Sequence, residues 1–419
     1  ELGTKWGNAW DSAWFRFKAD ISNLKTFTNL MGKVDCNGEG IVYAPNGVPH
    51  QGLTNGSVFV VHNGRNLFDI PSHWVQNGKL EFWVEASASN LFGITREKDP
   101  AENCPHPHGN YSGIYNEGSL VIKNEFIDEL RKDIKYLTDL LIEIPADSVR
   151  HIRILKAIDD SINLYFKSNG ENKECIIPLK KVLNAKANET SISVSAIGHA
   201  HIDTGWLWPV KETIRKCART FTNQLRLMEK FPDYKFGASQ PQLYQFTKDH
   251  FPEVYQQIKE RVKEGRWECQ GGMWVEADCN LVSGESFVRQ IFYGKKFYID
   301  EFGVDVKNVW LPDVFGYSAA LPQIMKKCGV DYFMTQKISW SQFNKFPHHS
   351  FYWKGIDGTK ILTHFLPEDT YNSGLKPSTL IKAERNYKDK VVSNNILSLF
   401  GIGNGGGGPN EEQIESGLR

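Results

Sequence analysis

From about residue 191 onward, short apolar runs alternate with helical stretches, and no other feature restricts the fold so strongly. SISVSAI is followed by a long helical stretch beginning near Pro209, with proline tolerated in a first turn. YKFGAS precedes a helix expected to end near Gly265, and RWECQGGMWV precedes one expected to open at SGES. KNVWLPD, DYFMTQK, KILTHFLP and NILSLFGIG are further strand-like runs, each ending in a polar or Gly-rich stretch. Repeated βα units build a mostly parallel sheet with helices outside. In such folds the working side chains gather at the carboxyl ends of the strands.

The chain before this point has different periods. Residues 1–122 hold short aromatic or β-branched runs, WFRFKADI, GIVYAP, SVFVVH and KLEFWVEA, separated by turn clusters such as PNGVPHQG and TNG. They predict an antiparallel β-sandwich. Near residue 124 the period lengthens: Phe126, Leu130, Ile134, Leu137, Leu141 and Ile144 share one helix face, and Pro145 ends it. A second helix is expected from about Asp147 to Phe166, with the apolar stripe of the pair as core. The expected organisation is an α/β chain: an N-terminal β-sandwich over 1–122, a helical linker over 123–190 and a mostly parallel (β/α) domain over 191–419.

Composition excludes some functions. Lys plus Arg and Asp plus Glu are both 49, so no basic surplus points to nucleic acid or an anionic membrane. No run of about 18 apolar residues suggests a membrane span, and no signal peptide is visible. Seven scattered Cys with no Cys-x-x-Cys pair argue against a disulfide framework and for a reducing compartment. Sequons at Asn55, Asn110 and Asn188 are too short a pattern to decide secretion. The 12 Trp and 25 Phe suit large packed faces or stacking on sugars.

The chemistry concentrates where SISVSAI ends, in GHAHIDTGW. His199, His201 and Asp203 stand at every second position, so an extended backbone would point all three to one side. Three ligand-type side chains at one strand end are hard to satisfy without a cation. Other strand ends offer partners. KNVWLPDVFGYS carries Asp313, MWVEADCN carries Glu276 and Asp278, and THFLPEDTYN carries His364, Glu368 and Asp369. An Asp behind a strand and beside other turn residues also serves as a turn former or helix cap.

HAHIDTGW, GGMWVEAD, WLPDVFGYS, THFLPEDTYN and GNGGGGP, in this order, resemble the α-mannosidases of glycoside hydrolase family 38. The resemblance is closest to the cytosolic and fungal vacuolar branch, and KVDCNGEGIVYAPNGVPHQGLT resembles part of that branch's N-terminal sandwich. It implies a retaining exo-glycosidase that cleaves terminal α-mannosides with one zinc ion per active site. By position, His201 and Asp203 would be zinc ligands, and Asp313 both ligand and nucleophile. Trp206 and Phe315 would flank the sugar, and His199 matches no ligand. Such an enzyme needs a second carboxyl to protonate the leaving oxygen, roughly 5–5.5 Å from the nucleophile. The family's acid/base position falls near Asn372, and the nearest carboxylic acid is Asp369.

Two other departures stand out. Asn404 precedes the glycines where relatives carry Asp, and no His follows His364, although the family takes a further ligand from a downstream His-Asp motif. The chain is therefore expected to be truncated at its C-terminus, with the remainder of the same polypeptide as a partner. A mannose-containing oligosaccharide, a homo-oligomer and a cytoplasmic or vacuolar, lysosome-like location complete the expectations. Competing readings are another metal-dependent hydrolase, a nucleotide-binding domain on GIGNGG, and an inactive carbohydrate-binding relative.

Overall fold

A computed structural model describes residues 1–24, 29–54, 65–89, 112–186, 188–403 and 405–419. The expected strand SVFVVH, the sequons at Asn55 and Asn110, and Asn404 lie outside the described residues.

The N-terminal part is antiparallel. One sheet runs in the order Ser12–Asp20, Lys79–Ser87, Glu39–Tyr43, Pro49–Leu53, with Val75–Gln76 also paired to Lys79–Ser87. A second sheet runs Glu117–Ile122, Leu30–Asp35, Leu67–Asp69. Alternate residues of Leu30–Asp35 are buried, the period of a strand with one covered face. Val34 and Phe68 from the smaller sheet meet Val42, Leu53, Phe82 and Val84 from the larger in one apolar cluster. Each sheet therefore covers the other.

Two long helices follow, Glu125–Glu143 and Val149–Lys167. Asn124 and Ser148 cap them by accepting from the amides of Ile127 and His151. The first stops just before Pro145, which cannot continue a helix. Leu130 and Leu137 on one helix and Ile154 on the other pack with Leu179, so the periodic stripe is core.

Beyond residue 191 the strands form two four-stranded sheets. The first has the order Trp267–Cys269, Phe236–Ala238, Ser193–His199, Asn395–Phe400, all parallel. The second has the order Asn308–Leu311, Tyr332–Thr335, Lys360–Phe365, Ser350–Lys354, the last pair antiparallel. Packing and hydrogen bonds join the sheets: Trp310 and Met334 of the second share an apolar cluster with Ile197, Leu397 and Leu399 of the first. Asn308 accepts from Gly272 N at 2.8 Å and Gly271 N at 2.7 Å, and His364 Nε2 accepts from Leu397 N at 3.3 Å.

Helices Val210–Lys230 and Gly284–Phe302 begin where expected, with Ser283 capping the second. The helix expected to end near Gly265 is instead two, Pro241–His250 and Pro252–Lys263. Pro252 has no amide to donate and disfavours helical backbone at Phe251, so the chain breaks there. The antiparallel strand Ser350–Lys354 was not expected.

Candidate metal and catalytic centre

The carboxyl ends of the parallel strands converge on one acidic point. His201 and Asp203 follow Ser193–His199, and Asp313 follows Asn308–Leu311. Ligand atoms of these three residues all lie within 4.8 Å of one another. His201 Nε2 is 3.4 Å from Asp203 Oδ1 and 3.7 Å from Asp313 Oδ2. His201 is buried, while the two carboxylates are partly open to solvent.

The histidine's tautomer follows from its other nitrogen. Nδ1 donates to Glu276 Oε1 at 2.8 Å, because a carboxylate can only accept. Nε2 is thus turned toward the two aspartates, a buried nitrogen with no hydrogen-bond partner in the structure. A carboxylate behind an imidazole whose free nitrogen faces two more carboxylates is a donor set suited to a divalent cation. Burial works against charge on His201, but Glu276 and Asp203 outweigh it and hold its pKa well above the ordinary value. A cation at Nε2 would displace that proton. Burial raises the Glu276 pKa, with His201 pulling it back down.

Gln240 ties this point together. Its Nε2 donates to Ile202 O at 2.8 Å, and its Oε1 accepts from Glu276 N and Thr204 Oγ1, both at 3.2 Å. It does so from a left-handed backbone with φ 68°, which a non-glycine residue adopts at a cost.

Asp313 is gripped separately. Its Oδ1 accepts from Tyr371 Oη at 2.6 Å and lies 2.9 Å from Lys337 Nζ. Burial, then Asp313 itself, pushes the Tyr371 pKa up, so this hydroxyl remains a donor. Lys337 also sits 3.4 Å from the centre of the Trp340 ring. Trp206 and Phe315 are exposed, 52% and 75%, and the Trp206 ring meets Trp208 edge-on at 5.6 Å between centroids.

The structure leaves other candidates outside the cluster. His199 is fully buried two residues earlier, at the end of the strand Ser193–His199. Its Nδ1 bonds Gly237 O at 3.1 Å, and burial depresses its pKa to about 3. Asp278 caps a turn by accepting from Asn280 N and Leu281 N. His364 spends both nitrogens, on Ser350 Oγ and Leu397 N, and is no spare ligand. Asp369 turns its carboxylate to Asn386 Nδ2 at 3.2 Å and Lys382 Nζ at 3.7 Å, and makes no contact with Asp313 among the bonds described. Reading the sequence alone missed Gln240, Lys337 and Tyr371. All three carried a signal, since each stands at or just past the end of a strand-like run.

Residues 191–417 match the family described as glycosyl hydrolases family 38 N-terminal domain, and residues 1–112 match the alpha-mannosidase jelly roll domain. Alpha-mannosidase G of Dictyostelium discoideum is 37% identical over 99% of this chain, and alpha-mannosidase 2C1 of Homo sapiens 34% over 99%. The alpha-mannosidase of Saccharomyces cerevisiae is 32% identical over 99% of the chain. The chain spans 38–39% of the length of these relatives. With a histidine and two aspartates meeting at the strand ends of the matched region, and with that region more than half its length, the chain belongs to glycosyl hydrolase family 38.

Proposed function

We propose that the protein is a zinc-dependent α-mannosidase that releases terminal mannose from oligosaccharides with retention of configuration. The observation that carries this reading is the convergence of His201, Asp203 and Asp313, with Glu276 behind the imidazole. Those three residues would hold the ion. Zinc there would orient neighbouring sugar hydroxyls and act as a Lewis acid. The names of the relatives support mannoside as substrate.

In this reading Asp313 attacks the anomeric carbon, and the two donors on its Oδ1 fix the plane of the carboxylate beforehand. Trp206 and Phe315 flank the sugar ring. We assign the proton donor to Asp369, which shares the segment between Phe365 and Ser373 with Tyr371. Its present pairing with Asn386 and Lys382 would have to break for it to act. Glu276 is the competing carboxyl, but it is occupied in orienting His201.

The two sheets, touching at Asn308 and His364, are read as one barrel-like catalytic domain over 191–419, following a sandwich over 1–122 and a helical linker over 123–190. A further zinc-ligand histidine is assigned to more of the same polypeptide, in keeping with the length of the relatives. The six described cysteines are free, which supports a reducing, cytoplasmic location, with a vacuolar one as the alternative.

The test is hydrolysis of an aryl α-mannoside by the full-length protein, with and without chelator. Activity that survives complete metal removal would reject the zinc reading. Asp313→Asn should lower kcat by roughly 10⁴-fold or more while leaving the fold intact. A fluorinated mannosyl inhibitor should label Asp313. Label on Asp369 or Glu276 would reassign the nucleophile.

A further inference from the structure

The Gly-rich loop behind Asn395–Phe400 is held from the far side by a residue of the sandwich. Arg65 Nη1 donates to Gly407 O at 2.7 Å, and Nη2 donates to Gly408 O at 3.1 Å and Pro409 O at 3.0 Å. These partners lie 342–344 residues away in sequence. Among the described residues no carboxylate accepts from this guanidinium. Burial lowers its pKa to about 10, with Tyr234 opposing the fall. Burying a guanidinium is costly, so its placement on three consecutive carbonyls calls for a reason. The helix Val210–Lys230 grips the same loop: Thr220 Oγ1 accepts from Gly407 N, and Gln224 Nε2 donates to Gly407 O.

The loop's other face lies on the centre. Gly405 bridges to Ile202, between the proposed ligands His201 and Asp203. Gly403 N donates to Asn372 Oδ1 at 2.7 Å. A Cβ on Gly403 would stand 2.9 Å from Tyr371 Cε2 and 3.2 Å from His201 Cβ, so the loop backbone touches both residues directly. Gly408, one of the arginine's partners, exchanges two backbone hydrogen bonds with Ile402, the neighbour of Gly403.

We propose that Arg65 is a positioning residue of the active centre: through it the N-terminal sandwich presses the Gly-rich loop against the 201–203 segment and Tyr371. This rests on the zinc-mannosidase reading of the site. A mere tether between domains would make the same bonds but would leave metal retention and turnover alone, and that difference separates the two roles.

The experiment uses the full-length protein as wild type, Arg65→Met and Arg65→Lys. Four quantities are followed: hydrogen exchange of the 401–409 amides, zinc retained against a chelator, kcat and KM on an aryl α-mannoside, and thermal unfolding. In Arg65→Met the amides of Ile402 and Gly408, which bond each other's carbonyls, should exchange faster. Zinc retention and kcat should fall together by about tenfold or more, with KM changed by less than about threefold, since the binding aromatics are untouched. Arg65→Lys, which keeps the charge but loses the planar fork, should fall between. Unchanged loop exchange overturns the proposal, and so does faster exchange with unchanged zinc retention and kcat. Should Arg65→Met fail to fold, the same criteria apply to Arg65→Lys. A wild type that neither retains zinc nor cleaves the mannoside rejects the zinc-mannosidase reading, whereas normal wild-type activity with an indifferent Arg65 rejects only this inference.

Discussion

Glu276 illustrates how a residue outside the ligand set governs it. Its carboxylate accepts from His201 Nδ1 and so dictates which nitrogen faces the two aspartates. Glu276→Gln keeps the shape but removes the charge. Zinc retention should weaken by roughly 10–100-fold, the usual cost of losing a carboxylate behind a ligating histidine. Metal content after dialysis against graded chelator checks it, and unchanged content would remove Glu276 from the centre. Glu368 makes a different point. It is buried beneath Ser373 and Ser398, and burial lifts its pKa from 4.5 to about 7, although both hydroxyls and Lys382 oppose the rise. Between those values the unfolded chain ionises while the folded one stays protonated. Its contribution to stability is therefore complete below about pH 4.5 and lost as pH rises to about 7, by roughly 3 kcal/mol. Relative to Glu368→Gln, the wild type should lose stability by that amount between pH 4.5 and 8, measured by urea unfolding; a pH-independent difference would refute it. At this scale the ligand-type residues were legible because their spacing and strand-end positions are local. Gln240 was not, because its role comes from meeting Ile202 and Glu276 across two other strands.

Among the elements, long amphipathic helices were the easiest to read. The stripe from Phe126 to Ile144 maps onto Glu125–Glu143, and the stop at Pro145 follows from proline's missing amide. Strands were legible where turn residues bounded them. The hairpin of Ser350–Lys354 with Lys360–Phe365 was not read, although its signal was present: in the connection 355–359 Gly358 N donates to Gly355 O, with Ile356 and Asp357 at the turn's centre, and Asp357 accepts from Thr359 N. An aromatic strand followed by a short Gly-containing connection and a second apolar run is a hairpin pattern. The longer βα rhythm around it obscured the one antiparallel member. Gly358 has φ 88°, and a Cβ there would meet only Lys354 Cε at 3.8 Å. Gly358→Ala should therefore cost about 1 kcal/mol from backbone conformation alone, without a clash. Thermal unfolding would check this; a loss several times larger would mean that the turn tolerates no other backbone.

On the scale of the molecule, the sandwich and the parallel sheets are joined by buried charge that no local pattern announces. Glu39 and Glu85 project from the larger sandwich sheet onto helix Val210–Lys230, where Glu212, Arg215, Lys216 and Arg219 meet them. Lys216 Nζ is 2.5 Å and Arg219 Nη1 3.0 Å from Glu39 Oε2, and Arg215 Nη2 is 3.1 Å from Glu85 Oε1. Glu39, Lys216 and Arg219 are each at most 2% exposed. Gly52 lies so close to the same helix that a Cβ there would stand 2.4 Å from the Arg219 carbonyl oxygen. Such a network adds little net stability when intact, because desolvation offsets attraction, but it is costly to break from one side. Glu39→Leu leaves two buried cations short of a carboxylate and should destabilise the protein by about 3–5 kcal/mol. Because the lost bonds all cross from sandwich to helix, the damage should fall on the coupling between the two parts. The wild type should unfold both together in calorimetry, while Glu39→Leu should separate the sandwich from the rest as an earlier transition. Adding Lys216→Met to Glu39→Leu should recover part of the loss, since one stranded charge is then removed as well. A single unshifted transition in Glu39→Leu would show that the backbone contact of Gly52 with the helix, where Gly52 N donates to Asn223 Oδ1, and not this charge, joins the sandwich to the parallel strands.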